Sequence, residues 1–83
     1  MSRIARSPDQ LGAHIKNVRQ QRGLSQSQLA DLAGTRQEMV SIIERGHEGA
    51  KISTLLDLLQ ALDLDLTLAS RPKPATTEVL DIF

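Results

Sequence analysis

The sequence predicts an all-α fold: four main helices in a compact domain, closed by one short C-terminal β-strand. Three observations predict it. Apolar residues recur at helical spacing between Ser7 and Gly23 and again along residues 52–62. Ser25 with Gln28, and Thr35 with Glu38, have the spacing of capping boxes, which mark the starts of two further helices. Asp63-Leu64-Asp65-Leu66-Thr67-Leu68-Ala69 alternates polar with apolar residues, the period of a half-buried strand.

Residues 1–6 form an N-terminal arm too short to define an element, with Arg3 and Arg6 solvated or touching phosphates. The first helix opens on Ser7 as N-cap and Pro8 at its first position, with Asp9 near the positive end of its dipole. Leu11, Ile15 and Val18 form its apolar stripe, and Gly23 ends it. The second helix, residues 26–33, buries Leu29, Ala30 and Ala33. Gly34 supplies the positive φ that ends it. The third, residues 36–45, buries Val40 and Ile43 and stops at Gly46. One short helix joined to another through a glycine turn is a helix-turn-helix, since neither piece is long enough to be stable alone. In the fourth helix, residues 52–62, Ile52, Leu55, Leu56, Leu59 and Leu62 make a broad apolar face. The domain therefore spans residues 7–70. Arg71-Pro72-Lys73-Pro74 breaks regular structure and begins a tail, residues 71–83, that ends in Val79, Leu80, Ile82 and Phe83.

Composition narrows the function. Eighty-three residues allow one domain. Without cysteine there is no disulfide, no cysteine-based zinc site and no thiol nucleophile. His14 and His47 lack partners at metal-binding spacing, so no metal site, cofactor site or catalytic constellation is visible and an enzyme is not expected. Phe83 is the one aromatic residue, which leaves no stacking platform for single-stranded nucleic acid. No apolar run approaches membrane-spanning length. The net charge is zero but unevenly divided. Residues 1–51 carry eight Arg/Lys against five Asp/Glu, giving +3, and residues 52–83 carry two against five, giving −3. A basic helix-turn-helix half suits a phosphate backbone.

The run SQSQLADLAGTRQEMVSIIERG, residues 25–46, resembles the helix-turn-helix of the Cro and phage-repressor (XRE-type) family. It has Gln at the second helix's start, Leu-Ala in its middle, Gly at the turn, and Glu-x-Gly at the third helix's end. The resemblance extends over residues 11–64. The flanking segments SPDQLGAHIKNVRQQRGLSQSQLA and ISTLLDLLQALDLDLTLAS resemble the HipB-type antitoxins more narrowly. The resemblance implies a lambda-repressor-like fold and an ion pair between Arg19 and Glu44. It implies base reading from the positions of Arg36, Gln37 and Ser41. It also implies a HipA-type kinase toxin as partner, autoregulation of the operon, and a C-terminal tail (Val79, Leu80, Ile82, Phe83) that reaches the toxin.

On a double-stranded operator, Arg36 at the start of the third helix suits guanine O6 and N7, and Gln37 suits adenine. Glu38 serves mainly the capping box, with cytosine contact as the alternative. Ser25 and Gln26 grip phosphates through side chains and the exposed N–H groups of the second helix, with Thr35 at the start of the third. Lys16, Arg22 and Arg45 are further phosphate candidates, with solvated surface as the alternative for each. A lone strand needs a partner, so Leu64, Leu66 and Leu68 are expected to pair across a homodimer, with Leu66 and Leu68 closing over helix four; the alternative is an extended tail folded onto its own helix four. A dimer requires an inverted-repeat operator with half-sites roughly 34 Å apart or a multiple of that. Such a protein works in the cytoplasm, on the nucleoid when bound. Two other readings fit: a stand-alone phage-type or metabolic repressor, and a protein-interaction module that has lost DNA binding.

Overall fold

The structure, a computed structural model, describes residues 4–71. Four helices follow one another: α1 (Pro8–Gln21), α2 (Gln26–Ala33), α3 (Gln37–Glu44) and α4 (Ile52–Ala61). In α1, Ser7 Oγ accepts from the Gln10 N–H, and the Gln10 side chain reaches back to accept from the Arg6 N–H at 2.7 Å. In α2 the capping box is complete: Ser25 Oγ accepts from the Gln28 N–H at 3.0 Å and Gln28 Oε1 from the Ser25 N–H at 2.8 Å. Gly34 then turns left-handed at φ 73°, and the Thr35 N–H closes the end of α2 on the Ala30 carbonyl at 3.0 Å.

That closure moves the start of α3. Thr35 is committed to the end of α2, so the expected Thr35–Glu38 capping box does not form. Arg36, extended at φ −96° and ψ 151°, is the N-cap, and no side chain caps it. The helix begins at Gln37 rather than Arg36 and ends at Glu44, with Arg45 as C-cap.

Ile15, Leu29, Ala30, Val40, Ile43, Leu58, Leu59 and Leu62 form one core to which every helix contributes. Leu11 and Val18 pack at its margin rather than inside it. The buried stripe of α4 is Leu55, Leu58, Leu59 and Leu62, at i, i+3, i+4 and i+7. Ile52 (70% exposed) and Leu56 (44% exposed), expected on the buried face, lie outside it. Gly12 is where α1 crosses α3. A Cβ there would stand 2.3 Å from the Ile43 carbonyl oxygen, so only glycine permits the approach.

The alternating segment 63–69 does not form a strand; no strand occurs among the described residues. The Leu64 N–H returns to the Leu59 carbonyl at 2.8 Å, and none of the other described residues offers a ladder. Leu64 packs against the core, but Leu66 is 53% exposed and Leu68 95% exposed, so neither closes over α4 within one chain. Val79, Leu80, Ile82 and Phe83 lie outside the described residues.

Candidate nucleic-acid interface

Because α3 starts just after the left-handed turn at Gly34, its first residues reach the surface beside the start of α2. Arg36, Gln37 and Glu38 are exposed, and Ser41, one turn on, is half-buried. The opposite face of α3 carries Val40 and Ile43 into the core, which fixes the helix's rotation about its own axis. An N-terminus with free polar side chains on a fixed axis has the geometry for reading base edges in a major groove.

The first residue of α3 is also tied sideways. Gln37 Nε2 donates to Gln26 Oε1 at 2.6 Å, and Gln26 Nε2 donates to Glu44 Oε1 at 3.0 Å. Glu44 accepts two bonds from Arg19, from Nε at 2.6 Å and from Nη2 at 3.0 Å. Arg19 Nη1 donates to the Leu24 carbonyl at 2.8 Å. One line of hydrogen bonds thus joins the first residue of α3 to the first of α2, the last of α3, and the α1–α2 corner. The Arg19 and Glu44 side chains are only 9% and 2% exposed, so this ion pair is a buried fork in which each charge depends on the other.

The line leaves capacity at its outer end. An amide has two N–H donors and one carbonyl oxygen; Gln37 commits one N–H inward and keeps the other pair of functions that adenine N6 and N7 require. Gln26, expected only to grip phosphates, is half-buried, with its oxygen and one N–H engaged and one N–H left over. This internal role went unread in the sequence, where a glutamine at a helix start looks like any solvated polar residue.

The remaining candidates are placed as follows. Ser25 is exposed at the N-cap of α2, its hydroxyl on the Gln28 N–H, and Thr35 is half-buried in the turn. Lys16 on α1 and Arg45 after α3 are exposed. Arg22 is exposed, and its Nη1 donates to the Leu62 carbonyl at the end of α4. His14 Nε2 lies 3.0 Å from the Ile4 carbonyl, and His47 Nδ1 accepts from the Gly49 N–H at 3.0 Å. Among the described residues no group of three or more His, Cys, Asp or Glu is placed to hold a metal ion. No helix among them is long and apolar enough to cross a membrane.

Two short helices joined at Gly34, the second presented N-terminus outward, define a helix-turn-helix protein, and a helix-turn-helix family model matches residues 15–68. Antitoxin HipB of Escherichia coli (strain K12) is 39% identical over 74 residues, which cover 87% of this chain and 84% of that protein. A chain of the solved HipA-HipB-O2-O3 complex superposes with a TM-score of 0.80 at 35% identity, covering 86% of this chain and 100% of that one. The HTH-type transcriptional regulator SutR of Escherichia coli (strain K12) is 36% identical over 72 residues, 86% of this chain but 40% of the regulator. The chain belongs to the helix-turn-helix family and, within it, to the HipB antitoxins.

Proposed function

We propose that this protein is a sequence-specific binder of double-stranded DNA that acts as an antitoxin, represses its own operon and binds a HipA-type kinase toxin. The observation that carries the DNA reading is the outer end of the hydrogen-bond line: Gln37, exposed and oriented by Gln26, beside exposed Arg36. Arg36, Gln37 and Ser41 read base edges, with Glu38 as a lesser contact. Ser25, Gln26, Thr35, Lys16 and Arg45 hold phosphates. The toxin follows from kinship with HipB, which the solved complex pairs with HipA.

The working form is a homodimer. Leu66 and Leu68 are apolar and exposed on a segment whose backbone lacks a ladder, and a twofold copy of the same segment supplies both a cover and hydrogen-bond partners. Residues 71–83 serve as a tail beyond this domain. No catalysis is assigned to the chain, and a protein that occupies an operator works in the cytoplasm.

Binding to DNA from upstream of its own gene, measured across a salt series, tests the reading. A specific complex weakened steeply by salt is expected; affinity equal for upstream and unrelated DNA contradicts it. A stand-alone regulator is the second reading, favoured by the similarity to SutR over nearly the same residues. Co-purification with the product of a neighbouring kinase-like gene decides for the antitoxin, and the absence of such a gene decides for the regulator.

A further inference from the structure

Two helix ends meet at a place that the DNA-reading surface does not use. Arg22 is the C-cap of α1 and Leu62 the C-cap of α4, and Arg22 Nη1 donates to the Leu62 carbonyl across the molecule. Leu62 is fully buried, and just beyond it the chain turns left-handed at Asp63, φ 60°. The Asp63 N–H bonds the Gln60 carbonyl at 3.0 Å and the Leu64 N–H the Leu59 carbonyl at 2.8 Å. These bonds close α4 upon itself. The bond from Arg22 is different, because it joins this closed end to the α1–α2 corner. At the same corner, Arg19 holds the Leu24 carbonyl and, through Glu44, the end of α3.

We propose that Arg22 is a positioning residue that sets the half-site spacing the protein accepts. The proposal rests on the reading of a DNA-binding dimer paired through residues 64–68. In that dimer the α3 helix of each chain is oriented relative to the departing segment by the core that α4 shares with α2 and α3 and, at its edge, by the joint between the α1–α2 corner and the end of α4. A change of about ten degrees at that joint, acting over roughly 17 Å (half of one helical repeat), displaces α3 by about 3 Å, close to one base-pair step. A residue that only stabilised the helix end would change stability. One that only touched phosphate would change affinity for every sequence alike. A strut changes which spacing is preferred.

The test is selection by the full-length chain from a pool of random-sequence DNA duplexes, comparing the wild type with Arg22→Met, which keeps the apolar stem and removes the donors. The wild type enriches inverted repeats of a single spacing. R22M enriches the same half-site sequence with the spacing spread over about three adjacent base-pair steps. If circular dichroism shows R22M unfolded, Arg22→Gln, too short to span the gap, is judged by the same readout. A variant that keeps the single wild-type spacing, whatever its affinity, overturns the role of Arg22 and leaves the dimer reading intact. Enrichment by the wild type of half-sites at no fixed spacing overturns the dimer reading and this proposal with it.

Discussion

Gln37 Nε2 lies 2.6 Å from Gln26 Oε1, so the first residue of α3 is held by the first residue of α2. The bond joins the two helices of the helix-turn-helix at their outward ends, whereas Leu29 and Val40 join them in the core. A side chain held in this way reaches a base edge with one amide orientation already chosen, which lowers the ordering cost of binding.

Gln26 and Gln37 are therefore expected to act as a unit on DNA. Gln26→Ala weakens binding and also relaxes base preference at the position Gln37 reads. In a double-mutant cycle of Q26A and Q37A the two losses fall short of adding, by about 0.5–1.5 kcal/mol. Fluorescence anisotropy with operator variants checks this, and strict additivity removes the coupling.

Glu44 ends the same hydrogen-bond line, inside the protein. Glu44→Gln leaves the Arg19 guanidinium buried without its counter-charge and is expected to cost about 3–5 kcal/mol of stability. In a domain of this size that lowers the melting temperature by more than about 10 °C. Replacing both Arg19 and Glu44 with Met recovers part of the loss, because no lone charge then remains. Thermal melts of the two variants at equal concentration make the comparison.

At Gly12 the difficulty is space. Gly12→Ala places a methyl group 2.3 Å from the Ile43 carbonyl oxygen and 2.7 Å from that of Glu44. The α1–α3 contact must open, at a cost of about 1–3 kcal/mol. Gly23→Ala meets no atom within 4 Å, and its cost comes only from holding alanine at φ 70°. Urea denaturation of both variants should show Gly12→Ala as the less stable; the reverse order contradicts the packing described.

Ser25 and Thr35 separate the capping box that forms from the one that does not. Ser25→Ala removes a bond to the Gln28 N–H and should destabilise by about 0.5–2 kcal/mol. Glu38→Ala, at the third position of the box that is missing, should leave stability within about 0.5 kcal/mol of wild type. A Glu38→Ala loss as large as that of Ser25→Ala restores the capping role.

The helices and the turn were legible because their signals are local. Ser25 with Gln28 marks the start of α2 and Gly34 its end, and each acts within a few residues. The start of α3 lies one residue later than the sequence predicts because Thr35-x-x-Glu38 fits a capping box equally well. Only the left-handed exit at Gly34, which sends the Thr35 N–H back to Ala30, excludes it. The buried face of α4 is ambiguous in the sequence because five leucines and one isoleucine among its residues and cap fit more than one stripe. Packing against α2 and α3 selects Leu58 over Ile52 and Leu56. The segment 63–69 has the period of a strand, but a period does not supply a ladder, and the described residues offer none. The inward bond of Gln26 to Glu44 and the reach of Arg22 to Leu62 span 18 and 40 residues, separations at which no local pattern carries a signal.

The most direct measurement is the affinity of Arg36→Ala and Gln37→Ala for the DNA upstream of the gene, set against single-base variants of that DNA. Each variant should lose about 1–3 kcal/mol on the natural sequence and lose discrimination at one base position in each half-site. Equal losses on specific and unrelated DNA, or none at all, would mean that the N-terminus of α3 does not read sequence.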